Sequence, residues 1–106
     1  MSNKYAWTWN IKRECVDEYV KMHQQVWEDV LVEHTKAGIT NYSIFQNDTQ
    51  FIYVYECDDI DFTTSYIANS TACQKWDAIM SKMVEGSFDW GGKDSVVFLK
   101  EVFHLA

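Results

Sequence analysis

The chain has 106 residues, of which 47% are hydrophobic and 16% aromatic, and this length and composition predict one domain with a well-filled core. Sixteen acidic residues against nine basic ones give a net charge of −7. This balance argues against nucleic acid and an anionic membrane surface as partners, because both require a basic footprint. A neutral ligand or a partner protein fits better.

The cysteines and the N-terminus indicate a cellular compartment. Cys15, Cys57 and Cys73 are an odd number without CxxC spacing, so we expect buried, reduced thiols in a cytosolic protein. The first residues lack the apolar segment of a signal peptide, and no apolar run is long enough to span a membrane. We therefore expect a cytoplasmic protein.

The first half of the chain reads as a strand, a long helix and a hairpin. Partial alternation predicts a strand over Tyr5–Ile11. Helical spacing of apolar residues predicts one helix over Glu14–Lys36, which Gly38 ends. Strands over Ile39–Phe45 and Phe51–Cys57 follow, and the five polar residues between them predict a hairpin loop.

Two helical segments and a last strand complete the pattern. An acidic stretch at 58–61 is expected to cap a helix over Ile60–Ala68. Residues 69–71 break the helix, and a second one runs over Thr71–Val84. The glycine of Glu85-Gly86 is expected to end this second helix. A glycine-containing loop at Phe88–Asp94 then leads to a strand over Val96–His104.

The order β-α-β-β-α-β predicts an α+β fold of the ferredoxin-like type, formed by residues 1–106 as one domain. Helices would cover one face of its sheet. Aromatic residues are expected to point to both faces, so the second face also needs cover. We expect a second copy of the chain to provide it in a two-fold homodimer.

Tyr19, His23 and Trp27 lie four residues apart in the long predicted helix, which would place them along one helical face. An imidazole between two aromatic rings suits a small hydroxyl-rich ring such as a sugar. A histidine in an amphipathic stripe is also a common core residue. Tyr42 in the second strand either fills the core or directs its phenol into the same pocket.

Three further residues, Trp76, Asp77 and His34, have ordinary structural interpretations. Trp76 fits core packing, and Asp77 is either solvated or accepts hydrogen bonds from hydroxyls. His34 is expected to be a partly exposed histidine near a helix end. His23, His34 and His104 are too widely spaced to indicate a metal site, and the sequence has no phosphate-binding loop, nucleophile elbow or dinucleotide fingerprint.

Four segments together resemble the L-rhamnose mutarotase family, in the same order and at closely similar spacing over nearly the whole chain. They are Tyr19–Trp27, Gly38–Ile44, Cys73–Trp76 and Glu101–Leu105. The resemblance implies a cytosolic homodimer of the dimeric αβ-barrel type that uses no cofactor. It also implies interconversion of the α and β anomers of L-rhamnose by acid–base ring opening and reclosure.

The resemblance implies roles for single residues. His23 corresponds to the proton donor, Tyr19 and Tyr42 to tyrosines that contact the sugar, and Trp76 to a tryptophan that packs against it. Asp77 stands where the family usually has a second tryptophan, and a carboxylate there would replace apolar stacking with hydrogen-bond acceptance. The base at the anomeric hydroxyl stays open among Asp77, Tyr19, Tyr42 and a water.

Three alternatives also stay open. The chain could be a mutarotase for a related sugar such as L-fucose. It could be a dimeric αβ-barrel oxygenase, either haem-binding or cofactor-free, since such enzymes also use an aromatic pocket and a helix histidine. It could also be a non-catalytic module that binds a sugar without changing the rate of anomer exchange.

Overall fold

A computed structural model describes residues 3–86 and 96–106 and shows an α+β fold. Strands β1 (Asn3–Asn10), β2 (Thr40–Asn47) and β3 (Gln50–Cys57) form an antiparallel sheet in the order β1-β3-β2. β3 is central, and its side chains alternate between buried and half-buried after Gln50. Such alternation is typical of a strand with one face on the core.

Four helices accompany this sheet in the described residues: α1 (Val16–His23), α2 (Glu28–Lys36), α3 (Ile60–Asn69) and α4 (Thr71–Ser81). A short 3₁₀ turn over Arg13–Cys15 precedes α1. None of the helices in these ranges is long and apolar enough to cross a membrane.

The caps of α3 and α4 confirm the predicted acidic cap and the predicted break. The Asp59 carboxylate accepts a hydrogen bond from the Phe62 backbone N–H at 3.1 Å. The Ser70 hydroxyl accepts one from the Cys73 N–H at 3.3 Å. Each side chain satisfies a backbone donor that the first helical turn leaves unpaired.

The prediction of one helix over residues 14–36 is wrong, because the chain leaves the helical conformation between His23 and Glu28. The N–H of Gln25 bonds the carbonyl of Met22 at 3.2 Å, which tightens and closes the last turn of α1. Trp27 has a ψ of 136°, and its ring packs edge-on against Trp76 at 5.0 Å. Tertiary packing thus outweighs local helix propensity here.

The predicted five-residue hairpin loop is also wrong. β2 and β3 remain paired up to Asn47 and Gln50, so only two residues form the turn. Asp48 adopts a left-handed φ of 57°, a conformation that Asp tolerates better than most residues. The Arg13 guanidinium bonds both carboxylate oxygens of Asp48, at 2.7 and 3.2 Å.

The aromatic residues of β1 and β3 lie on one face of the sheet, and Phe45 of β2 points to the other. The register pairs Trp7 with Tyr53 and Tyr5 with Tyr55. Trp7 and Tyr53 are both 1% exposed, and their rings stack at 5.1 Å. Phe45 is 60% exposed.

The C-terminal part differs from the prediction in two ways. α4 ends at Ser81 rather than near Val84, because Val84 forms an isolated antiparallel bridge with Ile11. The segment 96–106 has no regular strand, although the Leu99 N–H donates to the Ala6 carbonyl of β1 at 2.7 Å. The segment therefore lies beside the free edge of β1. The predicted loop at 88–94 lies outside the described residues.

Candidate active site

A cavity of about 580 Å³ is lined by residues of α1, α2, β2, β3 and α4. Three of the predicted site residues, His23, Tyr42 and Trp76, contribute to its wall. Apolar side chains and a few amides and hydroxyls form the rest, and this combination is typical of small-molecule sites. Tyr19 and Asp77 are not among the lining residues that the structure describes.

His23 occupies the last position of α1 and is half-buried. Its Nδ1 lies 2.7 Å from the backbone carbonyl oxygen of Tyr19. A carbonyl can only accept, so Nδ1 carries the proton in the neutral ring and Nε2 keeps a free lone pair. Burial lowers the pKa of His23, against a smaller opposing effect of the Tyr19 hydrogen bond. The ring is therefore mainly neutral at pH 7.

The rings around His23 differ from the predicted stack. Tyr19 lies one turn earlier on α1, with its ring centroid 4.4 Å from the imidazole. Trp76 of α4 presents an edge-to-face contact at 5.4 Å. Because the chain breaks after α1, Trp27 does not continue the helical face and reaches Trp76 instead. His23 thus lies between a phenol and an indole from two different helices.

Tyr19 supports the site from beneath and is only 2% exposed. Its hydroxyl lies 2.6 Å from the hydroxyl of Tyr53. Burial raises the pKa of Tyr19 to about 12, and the charge of Asp77 adds to the rise. The phenol therefore keeps its proton near neutral pH. A direct contact of Tyr19 with a sugar stays a prediction.

Tyr42 lies within an irregularity of β2. Asn41 has a left-handed φ of 51°, the pairing with β3 shifts between Thr40 and Ser43, and the Asn41 side chain donates to a Glu56 carboxylate oxygen at 2.9 Å. Such bulges commonly re-aim a side chain at functional sites. Burial raises the pKa of Tyr42 well above its ordinary value, so this phenol also remains protonated.

Asp77 follows Trp76 on α4 and is half-buried. Burial is the main cause of the raised pKa of Tyr19 and of Tyr42, and the charge of Asp77 raises both further. The carboxylate is therefore close enough to influence both phenols. Its contact with a sugar stays a prediction.

His34 was not expected in the site, yet it lines the same cavity and is half-buried. Its Nδ1 lies 2.8 Å from the carbonyl oxygen of Val30, and its ring stacks on Tyr42 at 6.0 Å. At about 100° per residue, a continuous helix would already place His34 about 20° from His23, on the face of Tyr19 and Trp27. That placement was the available signal for His34.

Comparisons with known proteins show the family of the chain. The family model for L-rhamnose mutarotase matches residues 4–105. The chain belongs to this family. An L-rhamnose mutarotase of Lactiplantibacillus plantarum is 32% identical over 98 residues, which cover 90% of each chain. Another, of Oceanobacillus iheyensis, is 36% identical over 94 residues, covering 84% of this chain and 85% of its own.

Solved structures confirm the fold. The L-rhamnose mutarotase of Formosa agariphila superimposes with a TM-score of 0.76 at 19% identity, covering 98% of this chain and 99% of its own. An antibiotic biosynthesis monooxygenase superimposes with a TM-score of 0.63 at 16% identity, covering 96% and 99%. At these identities the likeness shows the fold alone, which is the predicted ferredoxin-like α+β fold.

This mutarotase-family chain shows no metal centre in the part of the structure that is described, residues 3–86 and 96–106. No group of three or more His, Cys, Asp or Glu side chains there could hold a metal ion. The cavity instead offers two imidazoles, a phenol and an indole. These groups can exchange protons, donate hydrogen bonds and pack against an apolar sugar face.

Proposed function

We propose that this chain interconverts the α and β anomers of L-rhamnose. The observation that carries the proposal is His23, an ionisable ring on the wall of a cavity of about 580 Å³ in a member of the mutarotase family. The reaction requires a proton at the ring oxygen and loss of a proton from the anomeric hydroxyl. The open-chain aldehyde then rotates about C1–C2 and recloses on either face.

The geometry of His23 supports its role as a proton donor and acceptor at the ring oxygen. The Tyr19 carbonyl holds Nδ1, so proton exchange falls to Nε2. An imidazole has an ordinary pKa of about 6.5 and exchanges protons readily near neutral pH. Such general acid–base help typically contributes about 10²–10⁴-fold to a rate.

The remaining wall suits a neutral deoxysugar. Trp76, Phe51 and Ile44 line the cavity and would pack against the C–H faces and the methyl group. Tyr42 keeps its proton and would donate a hydrogen bond to a sugar hydroxyl. An acidic protein with a net charge of −7 does not repel an uncharged substrate.

We also propose a cytoplasmic homodimer. Five large apolar side chains near the C-terminus are 50–87% exposed: Val97, Leu99, Val102, Phe103 and Leu105. Apolar surface of this kind commonly marks an interface. Free cysteines, two of them buried, are typical of a reducing compartment.

Sedimentation equilibrium should give twice the chain mass at micromolar concentration, and cell fractionation should recover the protein in the cytosol. A monomer, or an extracellular pool, would contradict these proposals.

Saturation transfer between the α and β anomeric protons tests the function directly. We expect the wild type to accelerate exchange for L-rhamnose more than for L-fucose, L-lyxose or L-mannose. Asp77→Trp should change this preference if the carboxylate faces the sugar. Exchange of L-rhamnose at the buffer rate would refute the proposal. Binding without acceleration would identify a sugar-binding module, and oxygen consumption with an added quinol would identify an oxygenase.

A further inference from the structure

His34 repeats the arrangement of His23 on the next helix. Each ring bonds through Nδ1 to the backbone carbonyl four residues earlier, at 2.7 Å for His23 and 2.8 Å for His34. Each ring therefore has the same neutral tautomer, with the proton on Nδ1 and a lone pair on Nε2. Both rings line one cavity, and each stacks against or beside a tyrosine ring.

The other lining groups do not exchange protons near neutral pH. Tyr42 is the remaining titratable residue among the described lining residues. Burial raises the pKa of its phenol well above the ordinary value, so the phenol can donate a hydrogen bond but does not serve as a base. The amides of Gln24, Asn41 and Gln46 accept no proton in this pH range.

We propose that His34 is a second catalytic residue, which exchanges a proton with the anomeric hydroxyl while His23 exchanges one with the ring oxygen. This inference rests on the proposed mutarotase function. It assigns to His34 the role of base, which the sequence left open among Asp77, Tyr19, Tyr42 and a water.

The proton transfers balance within the two imidazoles. In the reactive form His23 carries a proton on Nε2 and His34 does not. His23 gives this proton to the ring oxygen while His34 takes the anomeric hydroxyl proton, so the C1–O5 bond breaks and C1–O1 becomes a carbonyl. After rotation about C1–C2, O5 attacks C1 and the C1–O5 bond re-forms, while His34 returns its proton to the carbonyl oxygen and His23 takes one from the O5 hydroxyl. No oxidant, reductant or cofactor enters.

The groups in direct contact with the His34 ring are neutral at pH 7. Tyr42 from β2 stacks on the ring, and Cys73 from α4 lies 3.9 Å from Nδ1. Burial raises the pKa of both groups, so both are neutral at pH 7. Tyr55 from β3 lines a small adjoining cavity with His34, as do Thr64 and Ile67 from α3, and burial also raises the pKa of Tyr55.

The charged groups near His34 lie on its own helix and on α4. Glu33 and Lys36 of α2 approach each other at 3.8 Å. Asp77 of α4, and Asp29 at the start of α2, act on the neighbouring Cys73 thiol. Burial remains the main influence on His34 and lowers its pKa, with the Val30 hydrogen bond opposing the change. Because burial also lowers the pKa of His23, the singly protonated pair should be most populated below about pH 6.5.

His34→Gln and Lys36→Gln form a matched pair for the test. Gln retains an N–H donor for the Val30 carbonyl but cannot exchange protons, and Lys36 is exposed on the same helix. We expect His34→Gln to lower kcat for L-rhamnose about 10²-fold or more with less than about 3-fold change in KM. Lys36→Gln should retain the wild-type rate. We expect a bell-shaped pH profile of kcat/KM in the wild type and a single limb in His34→Gln, a change that a merely structural role would not cause.

The outcomes separate the inference from the function on which it rests. If wild type and His34→Gln accelerate exchange equally while His23→Gln does not, the assignment of His34 is wrong and the mutarotase function stands. If the wild type fails to accelerate exchange, both are wrong. If His34→Gln does not fold, titration of the wild type with L-rhamnose decides, because the Cε1–H resonance of His34 must shift. An unchanged resonance overturns the inference.

Discussion

The hydroxyl pair of Tyr19 and Tyr53 connects the helical layer to the sheet beneath the cavity. The two oxygens lie 2.6 Å apart, and both side chains are at most 2% exposed. The backbone of Tyr19 also holds His23 through its carbonyl. Tyr19 therefore positions the His23 ring through its main chain and joins the core through its side chain.

Removing one hydroxyl of this pair should destabilise the fold. Tyr19→Phe leaves the Tyr53 hydroxyl buried without this partner, so we expect a loss of about 1–3 kcal/mol in the free energy of unfolding. Tyr53→Phe should behave similarly, and the double variant should lose less than the sum of both. Urea denaturation measures the cycle, with half-buried Tyr5→Phe as the control. Strictly additive losses would show that the two hydroxyls do not interact.

At the level of residues, three of the side chains named from the sequence, His23, Tyr42 and Trp76, line the cavity. The four-residue spacing of Tyr19, His23 and Trp27 assumed a continuous helix, which is wrong. The contact of His23 with Trp76 depends on packing between α1 and α4, which no local pattern encodes.

At the level of elements, Gly38 ends α2 and begins the path into β2. Its φ is +87°, and an added Cβ would meet only Thr63 Oγ1 at 3.9 Å. Space is therefore available, and the cost of a side chain comes from the backbone conformation. We expect Gly38→Ala to lose about 1–2 kcal/mol in the free energy of unfolding and Gly38→Asn to lose less, since Asn tolerates this region. Thermal denaturation tests this order, and an unchanged stability of Gly38→Ala would contradict it.

The elements with clear local signals in the sequence were predicted correctly. β1, β3 and α3, with the Asp59 cap, agree with their patterns within a few residues. The break before α2 has no glycine or proline to announce it, since residues 24–27 read Gln-Gln-Val-Trp. The predicted last strand is wrong for a different reason. Residues 96–104 have strand composition, but strand formation requires continued pairing with a neighbour, and one backbone hydrogen bond to β1 does not provide it.

At the level of the whole molecule, the two cavity histidines couple stability to pH. Burial lowers the pKa of His23 and His34 in the folded state, whereas both return to about 6.5 in the unfolded chain. Below about pH 6.5 the unfolded chain therefore binds more protons, and the free energy of unfolding should fall as the pH falls from 7 towards 5. Above pH 7 both rings are neutral in both states, and this contribution is constant.

Denaturation by urea between pH 5 and 8 measures this coupling. The double variant His23→Gln with His34→Gln should lose most of the pH dependence between 5 and 7. The window lies above the ordinary pKa of Asp and Glu, so carboxylate titration contributes little. An equal slope in the wild type and the double variant would show that these rings are not the coupled groups.

The anomer exchange rate of L-rhamnose in wild type and His23→Ala tests the central claim most directly. Lys21→Gln, an exposed change on the same helix, serves as the control, and circular dichroism verifies that all three proteins are folded. We predict that His23→Ala loses about 10²-fold or more of the catalysed rate by saturation transfer, while Lys21→Gln retains it. Equal rates in wild type and folded His23→Ala would contradict the account.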